Sequence, residues 1–186
     1  MNGVLARDGN ASDVIVRSAA TGDQIAFATL VAEHHAAMAR VAFVICGDPE
    51  LTRDATQAAW VVAWRQLRSL RNPSSVRAWL VAIAANETRR ALRRTHRGRI
   101  ADISPELAEL VHRDPAEDVD LVDLASALAG LRPEDRQLLA LRYEAGLDSS
   151  EIARHLGLSA SGVRTRLSRT VERLRTRLAS TTEALR

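Results

Sequence analysis

The sequence predicts an all-α fold of two small helical domains, an N-terminal helical bundle and a C-terminal four-helix domain with a helix-turn-helix, joined by an acidic linker. Three observations support this prediction. Alanine and leucine are abundant, while the 186 residues include only nine glycines and five prolines, a composition that favours helices. Apolar residues recur at three- and four-residue spacing. The charges form two basic blocks separated by an acidic one, which suggests two polyanion-binding surfaces and a connector.

The N-terminal domain is predicted over residues 1–96, and roughly its first 20 residues show no strong pattern and are expected to be mobile or weakly helical. Asp23 can cap the first long helix, which Gly47 ends. Apolar side chains at helical spacing form one face of this helix. They are Phe27, Leu30, Val31, Met38, Val41, Val44 and Ile45.

Two further helices complete the predicted bundle. In "GDPE", Asp48 is the cap and Pro49 the first helical residue of a helix that runs to about residue 70, where "RNPSS" breaks it. The third helix begins near Ser75 and continues to about Arg94, with an apolar inner side and an arginine-rich outer side. Short connections between such helices predict an antiparallel bundle.

A linker is predicted over residues 97–118. The surrounding stretch 101–123 contains eight acidic residues against one arginine, and two prolines interrupt it. Residues 60–99, in contrast, contain ten arginines against one acid, and residues 154–178 contain seven arginines against one glutamate. All 26 basic residues of the chain are arginine. The acidic stretch is therefore expected to connect two cationic domains.

The C-terminal domain, residues 119–186, is predicted to contain a helix-turn-helix near its end. Its helices are expected near 118–130, 133–145, 149–156 and 160–179. Asp148, Ser149 or Ser150 can cap the third of these, Gly157 suits the positive-φ position of a tight turn, and Ser159 can cap the fourth. A short helix, a glycine turn and a longer helix in this order are typical of the motif.

The last helix has a polar outer face suited to DNA. Its apolar positions fix the buried side and leave Ser161, Arg164, Thr165, Ser168 and Arg169 outside. Arginine can donate two hydrogen bonds to a guanine edge, and serine or threonine can reach phosphates or base edges. The pattern predicts DNA binding, and the alternative is an amphipathic helix with a solvated arginine face. The remaining arginines are expected to meet the DNA backbone or solvent. These are Arg166, Arg173 and Arg175.

The sequence argues against several other classes of protein. A single cysteine, Cys46, excludes an internal disulfide or a cysteine zinc cage and is expected to pack as a small core residue. His34 and His35 project about 100° apart on a helix and cannot easily share a metal ion. No phosphate-binding glycine loop, signal peptide or run of 18 apolar residues is visible. We expect a cytoplasmic, non-enzymatic protein with no cofactor, metal, small-molecule substrate or membrane insertion.

Three sequence stretches resemble a known family. "LRPEDRQLLALRYEAGLDSSEIARHLGLSASGVRTRLSRTVERLR" resembles the C-terminal domain of bacterial RNA polymerase sigma factors of the extracytoplasmic-function (ECF) class. "DATQAAWVVAWRQL" and "VRAWLVAIAANETRRALRR" are similar to two helices of the N-terminal domain of that family. The resemblance covers about 25–95 and 120–178 in the expected order. It implies a transcription initiation factor that directs core RNA polymerase to minus-35 and minus-10 promoter elements and promotes DNA opening.

The resemblance also implies roles for individual residues. The outer face of the last helix would contact the minus-35 element. The loop "SLRNPSSVRAW" and the third helix would contact the minus-10 element. These residues are Arg71, Asn72, Ser74, Ser75, Asn86, Arg89, Arg90 and Arg93. Asn86 could equally be a structural hydrogen-bonding residue. The second helix would dock on polymerase through Arg53, Asp54, Gln57 and Trp60, and Trp64 is expected to pack in the core.

The partners implied are core RNA polymerase, promoter DNA and an anti-sigma factor, since the family is commonly held inactive by one. The alternative is a stand-alone helix-turn-helix regulator that binds an operator. That alternative accounts for the C-terminal half of the sequence but gives the N-terminal bundle no role.

Overall fold

The structure, a computed structural model, describes residues 5–94 and 127–184. Within those two ranges the regular secondary structure is helical and includes no strand, which confirms the predicted all-α fold. The helices are α1 (Leu5–Ala20), α2 (Gln24–Cys46), α3 (Pro49–Gln66), α4 (Val76–Arg94), α5 (Pro133–Leu139), α6 (Ser149–Leu156) and α7 (Ala160–Ala184). The predicted linker and most of the helix expected near 118–130 lie outside the described residues.

The ends of the N-terminal helices follow the local capping chemistry of the sequence. The Asp23 carboxylate accepts hydrogen bonds from the first backbone N–H groups of α2, and that of Asp48 does the same for α3. Gly47 ends α2 with a φ of 69°, a left-handed conformation that glycine adopts without steric cost. Pro49 is the first residue of α3. The three predicted boundaries are therefore confirmed.

Helix α1 lies in the segment that was expected to be mobile or weakly helical. It packs on α2 through Val16 and Ala19, which are both buried, while Val14 and Arg17 are exposed. The Arg68 guanidinium donates a hydrogen bond from Nε to the carbonyl oxygen of Ala20 at 3.0 Å, which ties the end of α1 to the segment after α3. Of the two alternatives for the N-terminus, the structure shows the helical one over residues 5–20.

The first apolar core lies between α1, α2, α3 and α4. Leu30 and Met38 of α2 meet Leu67 and Leu80, and all four side chains are essentially fully buried. A fully buried leucine stabilises a fold by roughly 2 kcal/mol. Phe27 adds edge-to-face contacts with Trp60 and Trp64, with ring centroids 5.6 and 4.7 Å apart. This core fixes the relative positions of the four N-terminal helices.

A second apolar core joins the N-terminal helices to the C-terminal ones. Val41 and Ile45 of α2 and Val81 of α4 pack in one cluster with Leu138 of α5 and Ile152 of α6. All five side chains have almost no solvent exposure. The far side of α2 is thus covered by residues about a hundred positions later in the chain. This shared core was not predicted from the sequence, which indicated only two helical domains joined by a linker.

Helix α2 is long and apolar enough to span a membrane by length and composition alone. Half of the relevant window is buried inside the protein. Its apolar positions face both cores, with Leu30 and Met38 in the first and Val41 and Ile45 in the second. This packing accounts for the hydropathy of α2 as that of a central core helix.

We expect the stability of the fold to fall between about pH 7.5 and pH 5.5 because His34 is buried. Burial lowers the pKa of His34 below its usual value, an effect that outweighs the opposing charge of Glu33. In this range the unfolded chain binds a proton that the folded chain rejects, so acidification favours unfolding. Urea unfolding at the two pH values measures the difference. His34→Leu should reduce it, and an unchanged pH dependence in that variant would contradict the assignment.

Candidate nucleic-acid interface

The helix-turn-helix consists of α6, a turn at Gly157 and α7. Asp148 caps α6 in a reciprocal arrangement with Glu151, in which each side chain accepts a hydrogen bond from the backbone of the other. Gly157 has a φ of 68°, which turns the chain sharply. At the start of α7 the Ser159 hydroxyl accepts a hydrogen bond from Gly162 N at 3.1 Å. Both predicted helices and the turn between them are confirmed.

The packing of α7 leaves the predicted minus-35 residues on one exposed face. Val163 is fully buried and Leu167 is half-buried, and both belong to the second core. These contacts set the rotation of α7 about its axis. The five side chains expected to read base edges are all exposed. They are Ser161, Arg164, Thr165, Ser168 and Arg169.

A buried carboxylate lies beneath this face, and sequence reasoning missed it. Asp135 of α5 is 1% exposed. Its Oδ1 is 2.7 Å from Arg166 Nε, and its Oδ2 is 3.3 Å from Arg132 Nε and 3.6 Å from Arg173 Nη1. The expectation of contact with DNA backbone or solvent is therefore wrong for Arg166, whose side chain is drawn towards the carboxylate. Arg173 meets solvent as expected, since its side chain is 58% exposed beside its longer ion pair. The signal in the sequence was the surplus of arginines on α7 together with the two acids in "PEDR".

The arginines around Asp135 keep it ionised. Burial raises the pKa of the Asp135 carboxyl, but the hydrogen bond and charge of Arg166, followed by those of Arg132, outweigh it. The pKa therefore lies below its usual value. The cluster stabilises the fold above the ordinary carboxyl pKa, and this contribution is lost in acid as Asp135 takes up a proton.

The loop between α3 and α4 is held by its own polar side chains. The Asn72 carboxamide oxygen accepts hydrogen bonds from the backbone N–H and the hydroxyl of Ser74, the latter at 2.8 Å. The Ser75 hydroxyl donates to the carbonyl oxygen of Asn72 at 2.7 Å. Arg71, Asn72 and Ser74 are exposed, and Ser75 is half-buried. The loop therefore presents short polar groups on a preformed turn.

The predicted minus-10 residues of α4 are divided by the structure into two sets. Arg90 and Arg93 are exposed, although Arg90 pairs with Glu87 on the same helix. Asn86 and Arg89 are half-buried and face α5. The carboxamide of Gln137 donates to Asn86 Oδ1 at 3.2 Å, and Arg89 Nη2 lies 3.5 Å from an oxygen of Glu134. This geometry fits the structural reading for Asn86, and its contact with DNA stays a prediction.

Further along the same interface, Glu144 pairs with two arginines of the N-terminal helices. Its Oε1 lies 2.9 Å from Arg40 Nη2 and 3.5 Å from Arg77 Nη2. Arg77 also donates to the carbonyl oxygen of Glu144 at 3.1 Å. These pairs are partly exposed, so each contributes at most about 1 kcal/mol to stability. They align the two halves of the chain over the second core.

The outer face of α3 differs from the one predicted at its two tryptophans. Arg53, Asp54 and Gln57 are exposed, as expected. Trp60 is only 9% exposed and donates from Nε1 to Nδ1 of a histidine on α2 at 3.2 Å, so it is a core residue in this structure. Trp64, expected in the core, is 41% exposed.

Val61 was also missed and belongs to the same outer face. It is 47% exposed and lies one helical turn from both Gln57 and Trp64. Together Asp54, Gln57, Val61 and Trp64 form a half-polar, half-apolar stripe along α3, called the α3 stripe below. Such a stripe suits a protein partner better than a nucleic acid, because it combines apolar area with a carboxylate.

The described residues offer neither a metal-binding cluster nor an exposed cysteine. Among the described residues there is no cluster of three or more histidine, cysteine, aspartate or glutamate side chains able to hold a metal ion. Cys46 is buried, with its Sγ 3.2 Å from the hydroxyl of Thr52. Burial raises the pKa of the Cys46 thiol, which keeps it protonated and unreactive at neutral pH.

Comparison with known proteins finds two matching family models. Residues 30–98 match Sigma-70 region 2, and residues 121–174 match Sigma-70, region 4. The first range contains α3, α4 and the loop between them, and the second contains α5, α6 and most of α7. The two models thus cover both surfaces described above, in the same order along the chain.

Several curated proteins are similar over most of the chain. RNA polymerase sigma factor CnrH of Cupriavidus metallidurans is 33% identical over 164 residues, 80% of this chain and 84% of CnrH. RNA polymerase sigma factor NccH of Alcaligenes xylosoxydans xylosoxydans is 30% identical, over 81% of this chain and 85% of NccH. The probable RNA polymerase sigma factor RfaY of Xanthomonas campestris pv. campestris is 33% identical over 75% of this chain, but the match spans only 37% of RfaY.

Solved structures show the same architecture. CnrH in complex with the cytosolic domain of CnrY superposes with a TM-score of 0.62 at 29% identity, covering 94% of this chain and 98% of CnrH. The sigma factor RpoE of Bartonella quintana, solved with the anti-sigma factor NepR, superposes with a TM-score of 0.63 over 82% of this chain and 96% of RpoE. Its identity is 22%, so this second likeness concerns the fold alone.

Proposed function

The chain belongs to the sigma-70 family of RNA polymerase sigma factors, in its extracytoplasmic-function class, and from this premise we propose that it directs core RNA polymerase to promoters with defined minus-35 and minus-10 elements and promotes DNA opening there. Sigma factors of this family are not enzymes, and the catalysis of RNA synthesis belongs to the polymerase. The observation that carries the proposal is the presence of both matching regions on one chain, each with an exposed polar surface.

The minus-35 element is read by the exposed face of α7. Arg164 and Arg169 supply guanidinium groups for guanine edges, and Thr165 and Ser168 supply hydroxyls for bases or phosphates. Ser161, at the first turn of α7, lies where backbone N–H groups favour a phosphate. The support is the common exposure of these five side chains on a helix-turn-helix.

The minus-10 element is contacted by the α3–α4 loop and the outer side of α4. The preformed turn at Asn72 and Ser74 leaves Arg71 exposed beside it, so a splayed base would meet short polar groups and a cation. Arg90 and Arg93 supply phosphate contacts from α4. Asn86 and Arg89 join them only after Gln137 and Glu134 have moved away from α4.

Core polymerase is bound by the α3 stripe with Arg53 beside it. The support is the exposed apolar surface of Val61 and Trp64, which would form the stabilising core of a protein interface. Asp54 and Gln57 lie next to it and would supply polar specificity. Trp60 supports this surface from within the bundle and does not belong to it.

Val61→Asp should weaken binding to core polymerase by about tenfold or more, because a carboxylate would be desolvated at the centre of the stripe. The residue is half-exposed, so the variant should fold. Titration of fluorescently labelled chain with core polymerase measures the affinity. The matched control is Ile25→Asp, an apolar-to-acid change at an 82% exposed position of α2. Equal affinity of both variants would remove polymerase docking from the α3 stripe.

An anti-sigma factor is proposed as a further partner, and the cytoplasm as the site of action. The relative CnrH has been solved with the cytosolic domain of CnrY, and it covers almost the whole of this chain. A protein that must reach polymerase and promoter DNA works in the compartment where both reside.

Run-off transcription with purified core polymerase and genomic fragments tests the proposal. Adding the chain should produce transcripts with discrete new start sites that share two upstream elements. If start sites are the same with and without the chain, although it binds polymerase, the proposed function is wrong. The alternative of an operator-binding regulator predicts instead that the chain does not co-purify with polymerase, and the match of residues 30–98 to region 2 disfavours it.

A further inference from the structure

The cluster around Asp135 binds α7 to α5 at two points. Arg166 and Arg173 are seven residues apart, two helical turns along the same side of α7, and both pair with the one carboxylate. Arg132, which precedes α5, pairs with it from the other side. The Thr170 side chain between the two attachment points is also buried, with its hydroxyl donating to the carbonyl oxygen of Arg166.

These attachments lie next to the residues that face DNA. Arg166 is adjacent in sequence to Thr165 and three residues before Arg169, and each residue turns the helix by about 100°. A rotation of one residue would place Arg166 where Thr165 is now. The apolar contacts of the first three turns of α7 with the second core come from Ala160, Val163 and Leu167, of which Val163 alone is fully buried. The ionic attachments therefore restrict a helix that its hydrophobic packing fixes only loosely.

The cluster also removes cations from competition for DNA. Arg166 is drawn inward, and its side chain is about one-third exposed. Its guanidinium could otherwise bind a DNA phosphate. A helix whose six arginines were all free would bind any duplex by counterion release. Keeping some of them paired leaves a larger share of the binding free energy to the base-reading face.

We propose that Asp135 is a positioning residue, which helps to fix the rotation of α7 and withholds Arg166 from DNA, and thereby determines how selectively the protein reads the minus-35 element. This inference rests on the proposed function. It differs from a purely stabilising role, because loss of the carboxylate would release cations and relax selectivity without weakening DNA binding in general.

The test compares Asp135→Asn and Asp135→Glu with the parent chain, each as full chain bound to core polymerase. Transcripts are quantified from a promoter identified by run-off transcription and from the same promoter with a scrambled minus-35 element, at several salt concentrations. For Asp135→Asn we expect the ratio of the two transcript yields to fall by about tenfold, the effect of one lost arginine–guanine pair. Yield from the scrambled promoter should be unchanged or higher, and Asp135→Glu should restore part of the ratio.

Two further measurements keep the outcome decisive. Thermal unfolding and polymerase binding show whether the Asn variant is folded. Arg166→Gln should lower the ratio as well, and the double variant should be no worse than the single ones, because the two side chains act through one contact. Equal loss of both transcripts, or an unchanged ratio in a folded variant, would overturn the assignment. A parent chain that shows no dependence on the minus-35 element would instead count against the proposed function.

Discussion

Replacement of Arg169 by alanine is expected to reduce transcription from the native promoter by between ten- and a hundredfold while leaving polymerase binding intact. Arg169 is exposed on the base-reading face of α7 and pairs with no acid among the residues that the structure describes, so its guanidinium is available for a guanine edge. One bidentate arginine–guanine pair contributes about 1–3 kcal/mol of discrimination, which corresponds to this range. Run-off transcription, together with titration of core polymerase, measures the two effects separately.

Arg175→Ala is the matched control for this experiment. Arg175 is on the same helix and is strongly exposed, but it lies beyond the base-reading face and pairs with Glu172. Its removal subtracts the same charge and should lower transcription severalfold at most, through the general loss of one phosphate contact. Parallel loss of polymerase binding and promoter recognition in Arg169→Ala would mean that Arg169 maintains the fold of the helix-turn-helix.

Covalent linkage of α2 to the segment after α5 is expected to reduce promoter-dependent transcription by at least about tenfold. This magnitude follows because each lost base or phosphate contact costs about 1–3 kcal/mol. In the structure Asn86 and Arg89 are engaged by Gln137 and Glu134, and the second core holds the two halves together. A chain that cannot separate its halves cannot free these minus-10 contacts. Arg40→Cys with Glu144→Cys places two thiols where an ion pair now joins the halves.

The linkage experiment uses a bifunctional maleimide with a reducible spacer, in a Cys46→Ala background. Activity should return when reductant cleaves the spacer, which separates the effect of the linkage from that of the substitutions. The singly substituted variants, treated with the same reagent, should keep their activity. Full transcription by the linked chain would show that the arrangement with both halves in contact is already competent for promoter recognition.

The sequence was sufficient for most helix ends and for the helix-turn-helix, because these depend on local chemistry. Asp23, Asp48 and Asp148 cap helices through backbone groups two or three residues away, and Gly47 and Gly157 end helices through their own φ angles. The packing of α1 was not predicted, because alanine contributes little to an apolar pattern even when it is buried, as Ala19 is.

The candidate site was predictable only where the inner face of a helix fixed its outer face. On α7, Val163 set that division, and the exposure of the minus-35 residues followed. On α3, Trp60 and Trp64 are one turn apart and chemically alike, so only the packing against Phe27 and His35 decides which is buried. The roles of these residues in binding remain predictions.

Contacts between distant parts of the chain were beyond sequence reasoning. The pair of Arg40 and Glu144 spans 104 positions, and that of Asn86 and Gln137 spans 51. Nothing in the local pattern of either partner indicates the other, since arginine, glutamate and glutamine are ordinary surface residues. The same holds for Asp135, whose three guanidinium partners become evident only when α5 and α7 are packed together.

The order in which the second core is assembled has a consequence for biosynthesis. Its N-terminal contributors, Val41, Ile45 and Val81, leave the ribosome well before Leu138 and Val163 have been translated. Throughout that interval the emerging polypeptide lacks the residues that cover this apolar side of α2 in the folded protein. The nascent chain is therefore exposed to self-association until its last third has been translated, unless a chaperone covers the apolar surface in the meantime.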